Sequence, residues 1–167
     1  MKNTSNTISF PSNLIHRTLH GRMLLLMFLL LGALIGITWL MVYIMVSSIL
    51  EEYIGRNALN VSKAVSLTTV VQEGLKNNNS SKIQMYAESV RKATGARFVV
   101  VGDHEGRRYS HPVPERIGKF MVGGDNPRAL EKGEAYVSKA VGTLGPSMRG
   151  KVPIFDDAGK VIGVVSV

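Results

Sequence analysis

Two short clusters of cationic side chains carry the most specific chemistry in this sequence. One runs from Arg108 to His111, and the other runs from Ser147 to Lys151. Together they offer two guanidiniums, an ammonium and an imidazole, with small hydroxyl groups nearby. An arginine grips a carboxylate with two parallel hydrogen bonds, and a lysine adds a compact positive charge. The clusters therefore predict a site for a small ligand that carries several carboxylates.

The spacing within each cluster decides whether its side chains can share one site. Arg149 and Lys151 are two residues apart on a predicted strand, so their side chains lie on the same face. Arg108 and His111 are three residues apart and would point to opposite faces of a flat strand. Their convergence requires a bend just before His111, which the proline that follows favours. Taken singly, each charge has a solvated position on an ordinary strand as its default interpretation.

A hydrolase triad of Asp103, Ser110 and His111 is a competing interpretation of the first cluster. Adjacent residues on a strand do not normally form such a triad, and the sequence contains no nucleophile-elbow motif. His104 and His111 lack the spacing and partners of a zinc site. We therefore predict neither a catalytic residue nor a metal ligand.

A long apolar segment precedes these clusters. Met23 to Leu50 contains no charged residue and exceeds the roughly 20 residues that a helix needs to cross a bilayer. A cleaved signal peptide has a shorter apolar region of about 7–15 residues. We predict a tail over residues 1–22, a transmembrane helix over 23–50 and a folded domain over 51–167.

Charges on either side of the apolar segment predict its orientation. Lys2, Arg17 and Arg22 precede it without any acidic residue, whereas Glu51 and Glu52 follow it. An excess of lysine and arginine near a span stays in the cytoplasm. The tail is therefore predicted to be cytoplasmic and the folded domain to lie outside, with the lipid bilayer as a partner.

The overall composition excludes several classes of function. The net charge is +8, and a basic chain often binds nucleic acid. That partner is excluded here because the basic domain faces away from the cytoplasm and its charges are dispersed. The absence of cysteine excludes a thiol-dependent site and a disulfide framework. We expect stability to come from the core and from homodimerisation, for which Gly32 and Gly36 offer a close helix contact.

Hydrophobic periodicity predicts helices first and about five antiparallel strands after them. Helical spacing continues from the apolar segment to near Gly74, and a second helix capped by Ser81 ends before Gly95. The predicted strands cover residues 97–101, 107–110, 135–140, 148–155 and 161–167, with a short helix over 126–132. The domain is therefore α+β. Because the chain stops within the last strand, we expect it to be a truncated fragment.

A series of motifs in fixed order runs from Phe98 to Val167. They are Val-Val-Gly-Asp, Arg108-x-x-His111-Pro112, Arg116-Ile-Gly-Lys119, Gly123-Gly-Asp125, Thr143-Leu-Gly-Pro-Ser-Met-Arg149-Gly-Lys151, Pro153-Ile-x-Asp and Gly-Lys-Val-Ile-Gly-Val-Val-Ser. In order and spacing this stretch resembles the extracytoplasmic sensor domain of bacterial sensor histidine kinases of the citrate and C4-dicarboxylate class (CitA-like and DcuS-like). The resemblance is closer to the citrate branch.

The resemblance implies a PAS-like domain whose central five-stranded antiparallel sheet is flanked by N-terminal helices and holds the ligand. The residues that it implies for citrate binding are Arg108, His111, Thr143, Leu144, Ser147, Arg149, Lys151 and Ser166. C4-dicarboxylate sensors tend to have an aromatic residue at the position of Lys151, and a third cation suits a third carboxylate. The resemblance thus favours citrate, although Val99 and Val100 stand where citrate sensors supply a hydroxyl.

The resemblance also implies the rest of a larger protein in a bacterial cell membrane. A second transmembrane helix and a cytoplasmic kinase core, which uses ATP and signals to a response regulator, are expected beyond Val167. The fragment itself is expected to have no cofactor and no enzymatic activity. The alternatives are a C4-dicarboxylate sensor or chemoreceptor, a membrane-anchored extracytoplasmic hydrolase and a purely structural anchor.

Overall fold

The computed structural model describes the backbone from residue 12 and the side chains from residue 19. The first half of the predicted cytoplasmic tail lies outside the described residues. The chain divides into two compact units, Met1–Ser48 and Ile49–Val167.

Helix α1 covers Ser12–Ser66 and contains the apolar segment. Within it, Leu19–Ser66 is long and apolar enough to cross a membrane by length and composition. Its large apolar side chains are exposed, including Phe28 and Trp39 at 67% and 71%. A helix that is apolar on every face is suited to lipid rather than water. The boundaries of 23–50 for the span stay a prediction.

The helical region after the apolar segment is interrupted before Gly74. Helix α1 ends at Ser66, and a separate helix α2 covers Thr69–Lys76. The Thr68 residue between them is extended, with ψ 132°. The predicted continuous helix was therefore wrong in its last two turns.

Helix α3 covers Ser80–Thr94. Its cap is Asn79, whose side-chain oxygen accepts a hydrogen bond from the Lys82 amide at 3.0 Å, so the predicted Ser81 cap was wrong. Asparagine is a strong N-cap because its short side chain satisfies a free amide of the first turn. Gly95 ends the helix in the left-handed conformation with φ 68°, which confirms the predicted end.

Four antiparallel strands form one sheet in the described part of the chain. They are β1 (Val100–Asp103), β2 (Tyr136–Gly142), β3 (Gly145–Phe155) and β4 (Val161–Ser166), in the order β1-β4-β3-β2. A 3₁₀ turn at Pro114–Arg116 and helix α4 at Pro127–Leu130 lie between β1 and β2. The predicted short helix, with Pro127 in its first turn, is confirmed.

The prediction of five strands was wrong because residues 107–110 do not join the sheet. They form only isolated bridges, from Gly102 to Arg108 and from Arg107 to Phe120. The α+β, PAS-like class is otherwise as predicted.

The backbone of this segment is bent. The amides of Tyr109 and Ser110 both donate to the Val101 carbonyl, at 2.8 and 3.3 Å. The Ser110 hydroxyl also accepts from the Val101 amide at 2.8 Å and donates to the Val99 carbonyl at 3.1 Å. Tyr109 and Ser110 thus both face Val101, and two residues that face a single partner interrupt a strand ladder, as in a β-bulge.

The two faces of the sheet have different partners. One face packs against helices α1–α3 to form the core, which includes Val65, Val71, Ile83, Val99, Val101, Ile154 and Val165. On the other face, Val100 pairs with Ser166, and Ser166 pairs with Lys151. Because side chains alternate along a strand, the sheet separates the apolar core from the predicted ligand site.

Gly150 lies where the C-terminal part of α1 meets β3. The Ser62 hydroxyl donates to the Gly150 carbonyl at 2.7 Å. The Gly150 amide donates to the Val167 carbonyl at 3.0 Å. A Cβ atom at position 150 would meet the backbone of Ala58 and Leu59, so the helix approaches the strand closely only because this residue is glycine.

Candidate ligand-binding site

One cavity, of about 30 Å³, lies on the face of the sheet opposite helices α1–α3. Most of the predicted site residues line it, namely Arg108, His111, Thr143, Leu144, Ser147, Arg149 and Ser166. Phe98, Val100, Met121 and Val122 add apolar walls. The structure thus brings together residues from the bent segment, the β2–β3 hairpin and β4.

The bend at Ser110 explains how Arg108 and His111 reach the same cavity. Two consecutive amides share one carbonyl at this point, so the alternation of side chains shifts by one residue. Arg108 and His111 are therefore on the same side, and both are buried, at 4% and 2% exposure. Arg108 and His111 therefore converge on one cavity, as a shared binding site requires.

The backbone of His111 is fixed from helix α3. The Gln84 side chain accepts from the His111 amide at 2.9 Å and donates to the His111 carbonyl at 3.0 Å. This paired contact holds the residue in register with the helix. Sequence reasoning missed Gln84, and only its position on the inward side of an amphipathic helix pointed to it.

The ring nitrogens of His111 have separate partners. Nδ1 lies 2.9 Å from the Val113 amide nitrogen and 3.1 Å from the Val113 carbonyl oxygen, so it accepts from the first or donates to the second according to the ring's tautomer. Nε2 lies 3.0 Å from the Thr143 hydroxyl oxygen. Burial lowers the pKa of His111, and the nearby charges of Arg108 and Arg116 lower it further, while a Val113 backbone contact acts in the opposite sense. The lowered pKa favours the neutral imidazole at neutral pH.

Arg108 is a buried cation without an anionic partner. Its guanidinium makes no hydrogen bond or ion pair with any described residue. Burial lowers its pKa, and the charges of Arg116 and Arg149 act in the same direction. No fully buried side-chain nitrogen of the described residues lacks a hydrogen-bond partner, so the guanidinium reaches the open part of the cavity that it lines. A guanidinium without an anionic partner there favours an anion that enters from outside.

Arg149 is surrounded by acceptors from its own chain. Its Nε donates to the Ser147 hydroxyl at 2.9 Å, and Nη1 donates to the Val122 carbonyl at 3.2 Å. Nη1 also lies 3.4 Å from Oδ1 of Asp125, and Nη2 lies 3.4 Å from the Ala140 carbonyl. The two arginines of the cavity therefore differ: the Arg149 guanidinium is bonded to acceptors of its own chain, whereas the Arg108 guanidinium is not.

Lys151 lies beneath the cavity rather than in its lining. Its side chain is fully buried, and Nζ lies 3.3 Å from Oδ1 of Asp125 and donates to the Asn126 side chain. Burial lowers the pKa of Lys151, and the Asp125 carboxylate partly offsets this. The predicted third cation is thus present but already paired.

Asp125 is a second residue whose role sequence reasoning missed. Its Oδ2 accepts from the Ser138 hydroxyl at 2.6 Å, and its Oδ1 faces the two cations of β3. Burial raises its pKa, but the Ser138 hydrogen bond and the charges of Lys151 and Arg149 outweigh this, so the net shift is downward. The only signal in the sequence was an acid after two glycines in a region rich in cations.

The geometry does not form a hydrolase triad. The Ser110 hydroxyl is bonded to backbone atoms of β1, and the ring of His111 faces Val113 and Thr143. The Asp103 carboxylate accepts from the amides of Glu105 and Arg107. No one of these three side chains is bonded to another.

Comparisons with known proteins agree with this fold. The sequence model of the family described as single cache domain 3 matches residues 45–167. The chain belongs to that family. Its sheet, helices and cavity form a sensor-type domain of the Cache and PAS-like kind.

Relatives with known names are sensor proteins. Sensor protein CitS of Halalkalibacterium halodurans is 59% identical over 119 residues, which are 71% of this chain and 22% of that protein. Sensor histidine kinase CitA of Klebsiella pneumoniae is 39% identical over 118 residues, again 71% of this chain and 22% of that protein. The chain thus spans about a fifth of the length of these relatives.

A solved structure shows the same architecture. The sensor domain of DcuS from Escherichia coli superposes with a TM-score of 0.65 at 36% identity, covering 70% of this chain and 87% of that domain. The apolar helix and the sensor family together support a membrane location.

Proposed function

We propose that this chain is the ligand-binding part of a membrane-bound two-component sensor histidine kinase that detects citrate outside the membrane. The observation that carries the proposal is the Arg108 guanidinium, which has no anionic partner among the described residues and lines a cavity shared with His111 and Arg149. A polycarboxylate supplies the missing negative charge. The relatives named CitS and CitA support citrate as the ligand.

Each predicted site residue receives a role in this proposal. Arg108 and His111 bind carboxylates from the bent segment, and Arg149 and Lys151 bind from β3. The remaining contacts come from hydroxyl groups and the hairpin backbone, at Thr143, Leu144, Ser147 and Ser166.

The proposal extends to the protein around this domain. The tail is cytoplasmic and the cavity lies outside, because lysine and arginine cluster before the apolar segment. The kinase core with its ATP, the response regulator and a homodimeric assembly belong to the whole protein.

A C4-dicarboxylate sensor is the second candidate. It is favoured by the pairing of Asp125 with Arg149 and Lys151, which leaves only Arg108 and His111 open. The similarity to the DcuS sensor domain points the same way.

Ligand titration of the chain in lipid nanodiscs tests both candidates. A ligand that binds only the folded state raises the thermal midpoint by mass action. Citrate is expected to raise it more than malate at equal concentration, and acetate is expected to have no effect. An unchanged midpoint at millimolar citrate contradicts citrate sensing, and a larger shift with malate favours the C4-dicarboxylate candidate.

A further inference from the structure

The carboxylate of Asp125 occupies the place that the proposed function assigns to a ligand carboxylate. It lies 3.4 Å from the Arg149 guanidinium and 3.3 Å from the Lys151 ammonium. It also accepts a hydrogen bond of 2.6 Å from the Ser138 hydroxyl. A guanidinium, an ammonium and a hydroxyl are the donors expected around a bound carboxylate.

The loop over residues 122–126 holds this carboxylate in place. Its Val122 carbonyl accepts from Arg149 at 3.2 Å, and the Asn126 side chain accepts from Lys151. The Tyr136 hydroxyl donates to the Asp125 carbonyl. The loop is thus fixed to the cations at several points and closes the cavity on that side.

The 122–126 loop blocks the two cations of β3. The Asp125 carboxylate already contacts Arg149 and Lys151, and the Val122 carbonyl also accepts from Arg149. A ligand carboxylate therefore reaches both cations only when this loop moves.

We propose that Asp125 is an internal competitor of the ligand. In the free protein it fills the subsite between Arg149 and Lys151, and a ligand with a third carboxylate displaces it together with the 122–126 loop. A dicarboxylate bound by Arg108 and His111 leaves Asp125 in place. Asp125 thereby determines specificity, because only a third carboxylate recovers the contacts that are lost. This inference rests on the proposed function, since it takes the cavity to be a polycarboxylate site.

The test is Asp125→Asn in the 167-residue chain in lipid nanodiscs. The amide keeps the size of the side chain and an acceptor for Lys151 but removes the competing charge. Calorimetric titration is expected to show citrate affinity raised at least about tenfold, because charge-assisted contacts no longer have to be broken. Succinate affinity is expected to rise less than about threefold, because Asp125 is not displaced by two carboxylates.

Asp157→Asn is the matched control. It removes the same charge from an exposed residue whose side chain bonds to Lys76 at 2.6 Å, and we expect both affinities to stay unchanged. Ser138→Ala is a second variant, because it removes only the hydrogen bond to Oδ2 and is expected to raise citrate affinity by a smaller factor.

Amide hydrogen exchange without ligand separates this inference from the proposed function. In Asp125→Asn, exchange over residues 122–126 is expected to be faster than in the wild type, with β3 and β4 unchanged. If neither citrate nor succinate binds the wild type, the proposed function fails, and the exchange result still decides whether Asp125 holds the loop. Unchanged exchange, an unchanged or weaker citrate affinity, or an equal gain for both ligands overturns the competitor role.

Discussion

The Nε2 atom of His111 lies 3.0 Å from the hydroxyl oxygen of Thr143. This contact joins the bent segment after β1 to the hairpin between β2 and β3. The bent segment and the β2–β3 hairpin are therefore in direct contact across the cavity. A ligand that enters between them has to take over this hydrogen bond, which makes the protonation state of His111 part of the binding reaction.

Ligand binding is expected to take up a proton at His111. Burial lowers the pKa of this ring in the free protein, and a bound carboxylate raises it. Between the lowered and the raised pKa, the complex binds more protons than the free protein, so affinity increases as the pH falls through that window. Calorimetry in buffers of different ionisation enthalpy measures the uptake. His111→Gln keeps a polar side chain that does not titrate, and it should remove the uptake; an unaltered uptake in this variant contradicts the role of His111.

Lys151→Met is expected to weaken citrate binding by about 10–100-fold. The methionine fills the space of the lysine stem but provides no charge for a third carboxylate. The loss should be smaller for succinate, which calorimetric titration of both ligands will show. Lys139→Met, an exposed change on β2 that breaks a surface pair with Glu51, is the control. Equal losses for the two ligands would show that Lys151 does not select for citrate.

Ser110→Ala is expected to lower the free energy of unfolding by about 1–3 kcal/mol. Its hydroxyl is fully buried and satisfies both the Val101 amide and the Val99 carbonyl. Citrate affinity should fall as well, because the bend that brings Arg108 and His111 together depends on these bonds. Urea unfolding followed by circular dichroism and a ligand titration check the two effects. Ser89→Ala, which loses only a bond to a carbonyl of its own helix, should have little effect on either.

Gly150→Ala is expected to destabilise the domain by about 1–3 kcal/mol through overpacking. The added Cβ atom would meet the backbone of α1, and a helix backbone cannot move aside as a flexible side chain can. Gly21→Ala adds the same atom where nothing lies within 4 Å and is expected to leave the unfolding midpoint unchanged. A midpoint that is the same for both variants contradicts the close contact between α1 and β3.

Local patterns predicted much of the fold. The apolar segment, the end of α3 at Gly95 and the hairpins of the sheet each depend on residues close together in sequence. The prediction of a fifth strand was wrong for a non-local reason. The Ser110 side chain bonds to backbone groups of Val99 and Val101 that a neighbouring strand would otherwise use. The break at Thr68 has no proline or glycine to mark it.

The positions of the cations in the site could be predicted from the sequence, but the carboxylate with which they pair could not. Arg149 and Lys151 share a face because the period of a strand is two residues, and this follows from spacing alone. Which carboxylate faces them depends on how the 122–126 loop folds back, and no periodicity encodes that. The sequence therefore indicated three available cations, whereas the structure leaves only Arg108 unpaired among the cations of the described cavity.

Gly150 stands between the two cations of β3, and its carbonyl and amide are bonded to Ser62 and Val167. No side chain lies between this residue and the backbone of α1. Where two backbones are in contact, no side-chain rotamer can change to accommodate a small displacement of the strand. We therefore expect a small shift of β3, when Arg149 and Lys151 exchange Asp125 for a ligand, to displace the contacting part of α1 directly.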